Sequence, residues 1–549
     1  MRGSNDTPFP NQPPPYADRH LYGDDVALKE ALAREGGAWM ESSVSEWGGA
    51  LGTAAVLALG DTANRHPPEL ATHDARGERI DDVRFHPAWH ELMRLATAAG
   101  VHCRPWTDAR PGAQVARGAM VHLHAQVENG TQCPLTMTYA SVPVLRRAAA
   151  ALPQIARDWL PKILARDYDA RTLPVPDKRA ALIGMGMTER QGGSDVRSNR
   201  TRAVSAEGGA ARLNGHKWFF SAPQCDAHLV LAQDDAGLGC FLLPRVLPDG
   251  TKNAVRINRL KDKLGNRSNA SAEVEFDDAL AWPVSEPGRG VATILEMVQH
   301  TRLDCVLGTA GMMRAATARA IHHARHRIAF GRTLAAQPLM IEVLADIALE
   351  SEAATALALR LARAFDAPEG HAERALARLV TPAAKYWICK RGPVLAAEAM
   401  EVLGGNGYVE ESGLPRLYRE MPVNSIWEGS GNVMCLDVVR VARREPESVA
   451  ALADLLDQAR GANPAYDAFV AALLGELAAL ADESAAARTI AQGIAMAVAA
   501  SLLLRHAPAR VADAYCATRL SPQAFAGGAF GAVPLRSNAA PIVARALPE

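Results

Sequence analysis

Residues 211 to 233 read "ARLNGHKWFFSAPQCDAHLVLAQ", and here the grain of the chain changes. Asn214-Gly215 has the composition of a tight turn, and it precedes an apolar run holding Trp218, Phe219 and Phe220. "AHLVLAQ", "GCFLLPRV" and "AEVEF" follow at 227, 239 and 272 with short polar separators. Runs of this length bounded by turn formers predict strands, so residues 181–290 are expected to form a small β-domain. Alternation along a strand puts Phe219 and Ser221 on one side, offering an apolar plate and a hydroxyl to the same ligand face. The blander reading is a β-core with an exposed serine.

On both sides of this segment the period becomes helical. "VPVLRRAAAALPQIARDWLPKILARDY", from 142, repeats apolar residues at three- and four-residue steps, and residues 1–180 are expected to form a helical first domain. In "PLMIEVLADIALESEAATALALRLARAF", from 338, Met340, Val343, Leu344 and Ile347 mark one face while Glu342 and Asp346 mark another. That pattern predicts a bundle helix within a third domain, 291–446. An alanine-rich helical tail, 447–549, is expected as a fourth unit. The first twenty residues, rich in proline, are expected to wrap over a surface.

Composition agrees with a mainly α fold around the β-domain. The 549 residues are 48% hydrophobic but only 5% aromatic, the apolar content being largely alanine, leucine and valine. A net charge of -1 gives no global attraction for nucleic acid or an anionic membrane. Eight cysteines stand singly, without the close pairs of a zinc or dithiol site, and are expected to be buried and reduced. With no apolar signal core at the start and no stretch read as a membrane span, a cytoplasmic protein is expected.

Three segments can carry chemistry. "GMGMTERQGGSDV", 184–196, is glycine-rich but lacks both the Gly-Lys-Ser/Thr ending of a P-loop and the Gly-x-Gly-x-x-Gly spacing of a dinucleotide fold. "NGHKWFFSAPQ" holds the plate and hydroxyl. "IWEGSGN", 426–432, places Glu428 ahead of an apolar run ending in arginines, where capping a helix would be its ordinary duty. "HHARH" offers His322, His323 and His326, but no acidic or thiol partner stands at ligand spacing, so no metal is assigned.

In this order, the segments resemble the acyl-CoA dehydrogenase family of flavoproteins. The resemblance rests on "MTERQGGSDV", "RHRIAFGR" at 325–332, "LGGNGY" at 403–408 and "WEGS" at 427–430. It is closest to a branch of alkylation-response flavoproteins with an added C-terminal domain, through "HKWFFSAPQCDAHLVLAQ", "KDKLGNRSNAS", "RLYREMPVNSIWEGSGN" and "DDVRFHPAWH". It implies a helical N-domain, a β-barrel middle domain, a four-helix-bundle domain and an extra helical domain.

The resemblance also implies non-covalent FAD. Met187, Thr188, Gly193 and Ser194 then fall where relatives contact flavin, its phosphates or bound acyl-CoA. Phe219, Phe220 and Ser221 fall on the strand backing the flavin, with the Ser221 hydroxyl by N5. Arg327, Phe330, Gln337 and the turn Gly404, Gly405, Gly407 match positions that hold the FAD of a neighbouring subunit, which implies a homotetramer. Trp427, Gly429, Ser430 and Asn432 also fall at the cofactor, Asn432 beside the flavin's own pyrophosphate or adenosine portion, and Glu428 among them is the implied base that takes the α proton of an acyl thioester as a β hydride leaves for the flavin. The alternative base of another branch would precede Arg302, and that position is Thr301.

A second reading, from the same branch, is a DNA-associated protection protein whose flavin site is secondary. DNA binding needs clustered positive charge. The tail from 447 carries seven arginines, no lysine and nine acidic residues, so binding to duplex DNA is expected to be weak, through Arg440, Arg443 and Arg444 with Arg505, Arg510 and Arg519.

Overall fold

The computed structural model describes residues 11–480, 485–521, 524 and 528–548, and it divides into two compact units. One comprises residues 55–308 and 426–433, the other residues 1–54, 309–425 and 434–549.

The first unit is built on a barrel. Its strands follow a small hairpin, β1 (Glu69–His73) and β2 (Arg79–Arg84), and are β3 (Ile183–Gly186), β4 (Arg202–Ser205), β5 (Ala211–Ser221), β6 (Ala227–Asp234), β7 (Gly237–Pro244), β8 (Val255–Leu260) and β9 (Ser271–Pro283). The path β6-β4-β5-β9-β7 closes because β7 also pairs with β6, while β3 adds parallel to β6 and β8 adds to β9. On β6, Val230 and Ala232 join one hydrophobic core with Phe220, Phe241 and Val274, and Leu229 and Leu231 join another with Met185, Trp159 and Met297. A strand buried on both faces reads as a continuous apolar run, which is why "AHLVLAQ" lacks polar alternation.

Two local readings differ from expectation. Asn214-Gly215 is not a turn: β5 runs straight through it with a shift of register against β9. Gly215 has φ +150°, and a Cβ there would stand 2.6 Å from the Thr201 hydroxyl, so glycine is needed for the close approach, while the extra residue of the register shift is Asp278 on β9. The Asn214 amide bonds across to Asp278, giving the asparagine a ladder partner. The first 180 residues also contain strands, β1 and β2, joined at Asp74–Gly77, where the Asp74 carboxylate accepts from the amides of Arg76 and Glu78. The long "VPVLRR" segment breaks after helix Gln132–Ala148 into a wide turn at Ile155–Trp159, with Pro153 and Pro161 on either side.

The second unit is helical. Helices Pro338–Asp366 and Ala372–Val402 pack together and receive helices Pro446–Asp457, Ala487–His506 and Ala539–Ala546 of the tail. The face marked by Glu342 and Asp346 is therefore not a solvated one. Arg519 bridges Asp346 at 2.7 Å and Glu350 at 2.8 Å, the Gly531 amide reaches Asp346, and the amides of Leu535 and Arg536 reach Glu342. Burial alone would raise the Glu350 carboxyl, but Arg519 and Arg391 hold it below its ordinary value.

Helix Ala487–His506 is long and apolar enough to cross a membrane by length and composition, contrary to the expectation that no such stretch exists, and 78% of its apolar window is buried inside the protein. It is the tail's core helix. Of the proline-rich start, residues 1–10 lie outside the described residues. Residues 11–24 form no helix or strand and lie on their own unit: His322 meets the Pro14 carbonyl at 2.8 Å, and the Arg327 guanidinium meets that of Asn11 at 2.6 Å.

Candidate active site

Glu428 is one of the non-glycine residues of the first unit with a positive φ. It lies between Trp427 and Gly429 just before helix Gly431–Arg444, with φ +58°, a left-handed conformation that non-glycine residues rarely take. Gly429 follows at φ +104°. Such strain persists only where neighbours over-determine it. Two consecutive residues of helix Gly290–His326 do so: the Thr301 hydroxyl donates to Glu428 Oε2 at 2.7 Å, and Arg302 Nε donates to the Glu428 main-chain carbonyl at 3.0 Å. The carboxylate is half-buried. Trp427 packs on the same core cluster as Met187, Met185 and Met297.

Capping does not explain this geometry. A capping residue has extended backbone and turns its side chain to the first amides of its helix, whereas the Glu428 Oε2 contact runs to another helix. Thr301, identified from the sequence only as the position lacking a rival base, is instead a partner of Glu428. Nothing in the sequence around 301 signals this; only the pairing of 301 with 428, 127 residues apart, reveals it.

The glycine-rich loop and the aromatic strand meet. The Thr188 carbonyl accepts from the Trp218 amide at 2.9 Å, and a Cβ on Gly193 would fall 2.4 Å from Thr188 Oγ1. Gly193 thus lets the loop fold back on the threonine, with exposed Ser194 beside it. Asn199 donates to the Met187 carbonyl at 2.8 Å. Beneath the loop lies an ion pair that sequence reading missed: Lys217 Nζ and Glu189 Oε1 stand 2.8 Å apart, both fully buried. Glu189 also accepts from the Thr201 hydroxyl and from the amides of Arg200 and Thr201. Burial would raise its carboxyl, but Lys217 and these donors hold it down at about 2.

On β5 an extra residue opposite β9 sits between Lys217 and Phe220. The bulge turns Trp218 and Phe219 outward together while Phe220 stays in the core, stacked on His228 with ring centroids 3.9 Å apart. Phe219 is 51% exposed, and half-buried Ser221 shares its side of the strand. Lys261 Nζ lies 3.6 Å from the Trp218 ring centre and 4.7 Å from that of Phe219.

These residues fit FAD. Phe219 is an exposed aromatic plate, Thr188, Ser194 and Ser221 are hydroxyls on adjoining chain segments, and the close approach at Gly193 forms a cradle that a side chain would fill. Of the other residues marked from the sequence, Ser430 is half-buried and Asn432 exposed.

The second unit holds the rest. Phe330 and Gly331 form the tip of a two-residue hairpin between β10 (Ile328–Ala329) and β11 (Arg332–Thr333), with φ +51° and +81°. Gln337 fastens it by donating to the Ala329 carbonyl at 2.8 Å and accepting from Arg332. Gly404, Gly405 and Gly407 lie in a tight turn, and a Cβ on Gly407 would meet the Met400 carbonyl at 2.0 Å. Arg440 pairs with Asp437, while Arg443 and Arg444 are exposed. No group of His, Cys, Asp or Glu among the described residues is placed to hold a metal ion.

Comparison with known proteins bears directly on this arrangement. Three family models match in order: the adaptive response protein AidB N-terminal domain at residues 11–170, the acyl-CoA dehydrogenase middle domain at 184–279, and the acyl-CoA dehydrogenase C-terminal domain at 288–442. AidB of Escherichia coli is 52% identical over 93% of this chain and 94% of its own. Acyl-CoA dehydrogenase family member 11 of Caenorhabditis elegans is 30% identical over 81% of this chain and 73% of its own. The crystal structure of C. elegans ACDH-11 in complex with C11-CoA superposes with a TM-score of 0.84 at 28% identity, covering 95% of this chain and 94% of that one. The chain belongs to the acyl-CoA dehydrogenase family of FAD-dependent oxidoreductases and carries an AidB-type N-terminal domain.

Proposed function

We propose that the chain dehydrogenates an acyl thioester, with Glu428 as the base that removes the α proton. The observation that carries this reading is the left-handed Glu428, held by Thr301 and Arg302 and half open to solvent. A carboxylate kept in a strained backbone by two contacts from another helix has a task beyond stability. FAD, held by Thr188, Ser194, Phe219 and Ser221, supplies the acceptor for the β hydride. Because the C. elegans neighbour was solved with C11-CoA, a medium-chain acyl-CoA is the first substrate to try.

Two further elements belong to the proposal. The protein works as a homotetramer in which Arg327, Phe330, Gln337 and the turn at Gly404, Gly405 and Gly407 serve the neighbouring subunit's FAD. Phe330, 98% exposed at its hairpin tip, with Leu339 84% and Tyr408 82% exposed, supports an interface on this unit. A cytoplasmic setting accords with eight buried free thiols.

DNA association in an alkylation response stands second. Arg519 and Arg545, two of the tail's seven arginines, are taken up by Asp346, Glu350, Glu30 and Glu352, and Arg440 pairs with Asp437, so contact with phosphate rests mainly on exposed Arg443 and Arg444 with Arg505 and Arg510. Binding is expected to be weak and to vanish as salt rises.

Glu428→Gln keeps the shape of the side chain and tests the base directly. It should retain FAD and fold while flavin bleaching by acyl-CoA in stopped flow slows by at least about a hundredfold. Equal rates in the two proteins would end the proposal. A wild-type flavin that no acyl-CoA reduces would leave the DNA reading in its place.

A further inference from the structure

Thr301 Oγ1 stands within hydrogen-bond distance of two acceptors, Glu428 Oε2 at 2.7 Å and the Val298 carbonyl at 3.0 Å. A hydroxyl has one proton to donate, so at any moment it serves one of the two. The Val298 carbonyl lies three residues back on the same helix, and the hydroxyl proton reaches it by rotation about the Cβ–Oγ1 bond with Oγ1 in place. Which acceptor wins depends on charge. A carboxylate is a much stronger acceptor than a neutral amide carbonyl, and a protonated carboxyl is a weaker one than a carboxylate.

We infer that Thr301 is a positioning residue whose proton follows the charge of Glu428, keeping the resting carboxylate ionised and aimed and turning back to Val298 once Glu428 is protonated. The inference deepens the function proposed above and rests on Glu428 as base. In that step the substrate α C–H bond breaks, its electron pair stays on the substrate, and the proton ends on the Glu428 carboxyl. The carboxyl then no longer commands the Thr301 proton, which swings to the main-chain carbonyl 3.0 Å away. No buried hydroxyl is left without an acceptor in either state.

The environment leaves this contact room to act. Thr301 is 3% exposed, so water does not substitute freely for its hydroxyl. Of the charged and titratable groups on its helix, Arg302 donates to the Glu428 main-chain carbonyl at 3.0 Å, His300 meets the Tyr139 hydroxyl at 3.0 Å, and Asp304 is held by Arg117 at 2.6 Å. Trp427 adds an apolar wall without a charge.

The test is the titration of the Glu428 carboxyl in the FAD-loaded protein, followed by its protonated C=O band in difference infrared spectra and assigned by its loss in Glu428→Gln. Thr301→Val, which removes the hydroxyl at nearly constant volume, should raise the midpoint by about one pH unit, and Thr301→Ser should leave it unchanged. The acid limb of the pH profile for flavin reduction should move by the same amount. An unmoved midpoint in Thr301→Val overturns the inference, as does a midpoint that moves equally in Thr301→Ser. Should Thr301→Val not fold, Thr301→Ala carries the same expectation and the same refutation. A midpoint that moves while the rate profile stays fixed supports the contact and counts against Glu428 as the base.

Discussion

Glu189 and Glu428 lie in the same compact unit, in two of the motifs that mark the family, yet the fold treats them in opposite ways. Glu189 is wholly buried and its oxygens are met by Lys217, Thr201 and two main-chain amides. Its backbone is unremarkable. Glu428 is half-buried, its backbone is left-handed, and a hydroxyl from another helix donates to Oε2. A carboxylate that serves the fold is surrounded by donors and kept ionised by an adjacent cation, whereas one that exchanges a proton must remain reachable and adjustable. The glycine-rich loop is therefore anchored by the glutamate within it, and Glu428, the proposed base, is anchored by residues outside its own segment.

The largest effect is expected from breaking the first of these. Lys217→Met fills the same space but leaves Glu189 buried without its cation, which costs about 3–5 kcal/mol. The thermal midpoint of the barrel should fall accordingly, and FAD retention with it, because Thr188 and Gly193 sit on that loop. A variant as stable as the wild type would show that the two glutamates are not so different.

A pH series sharpens the same contrast. Glu189 has a folded value near 2, below the unfolded value of about 4.3. A group depressed on folding stabilises above its unfolded value and loses that contribution as pH falls toward its folded one. Thermal midpoints should thus decline from roughly pH 4.5 down to roughly pH 2. In Lys217→Met that particular decline should shrink, since the cation that depresses Glu189 is gone. An identical acid limb in both proteins would place the acid sensitivity elsewhere.

How much of this the sequence disclosed depends on the range of the interaction. The strands of the barrel and the long bundle helices were legible because apolar period is a local signal. Asn214-Gly215 misled because the same dipeptide serves a tight turn or a strand crossed closely by another segment, and Thr201, which stands against Gly215, comes from the segment just before β4. Helix Ala487–His506 escaped notice as an apolar span because the small residues that make up much of it register weakly against charged neighbours. Glu428 stood out in its motif, as a lone acid before a glycine-serine-glycine run. Thr301, Arg302 and Lys217 were not, because their meaning lies in partners 28 to 127 residues away. What covers the face of Glu342 and Asp346 was not legible for the same reason: the segment near Arg519 and Leu535 arrives from the end of the chain.

The smallest expected effect separates strain from charge at residue 428. Glu428→Gln retains a Cβ and so retains the left-handed penalty, and its stability should match the wild type closely. Glu428→Gly removes the Cβ that makes φ +58° unfavourable. Relief of a left-handed L-residue is worth about 1–2 kcal/mol, and the added chain entropy of glycine offsets about half of that. In Glu428→Gly the Thr301 hydroxyl keeps the Val298 carbonyl as acceptor and Arg302 keeps its main-chain acceptor. Glu428→Gly should therefore melt higher than Glu428→Gln by an amount equivalent to about 0.5–1 kcal/mol, while both lose flavin reduction. If the two melt together, the positive φ is relaxed rather than strained, and Thr301 and Arg302 hold nothing that the turn would not adopt unaided.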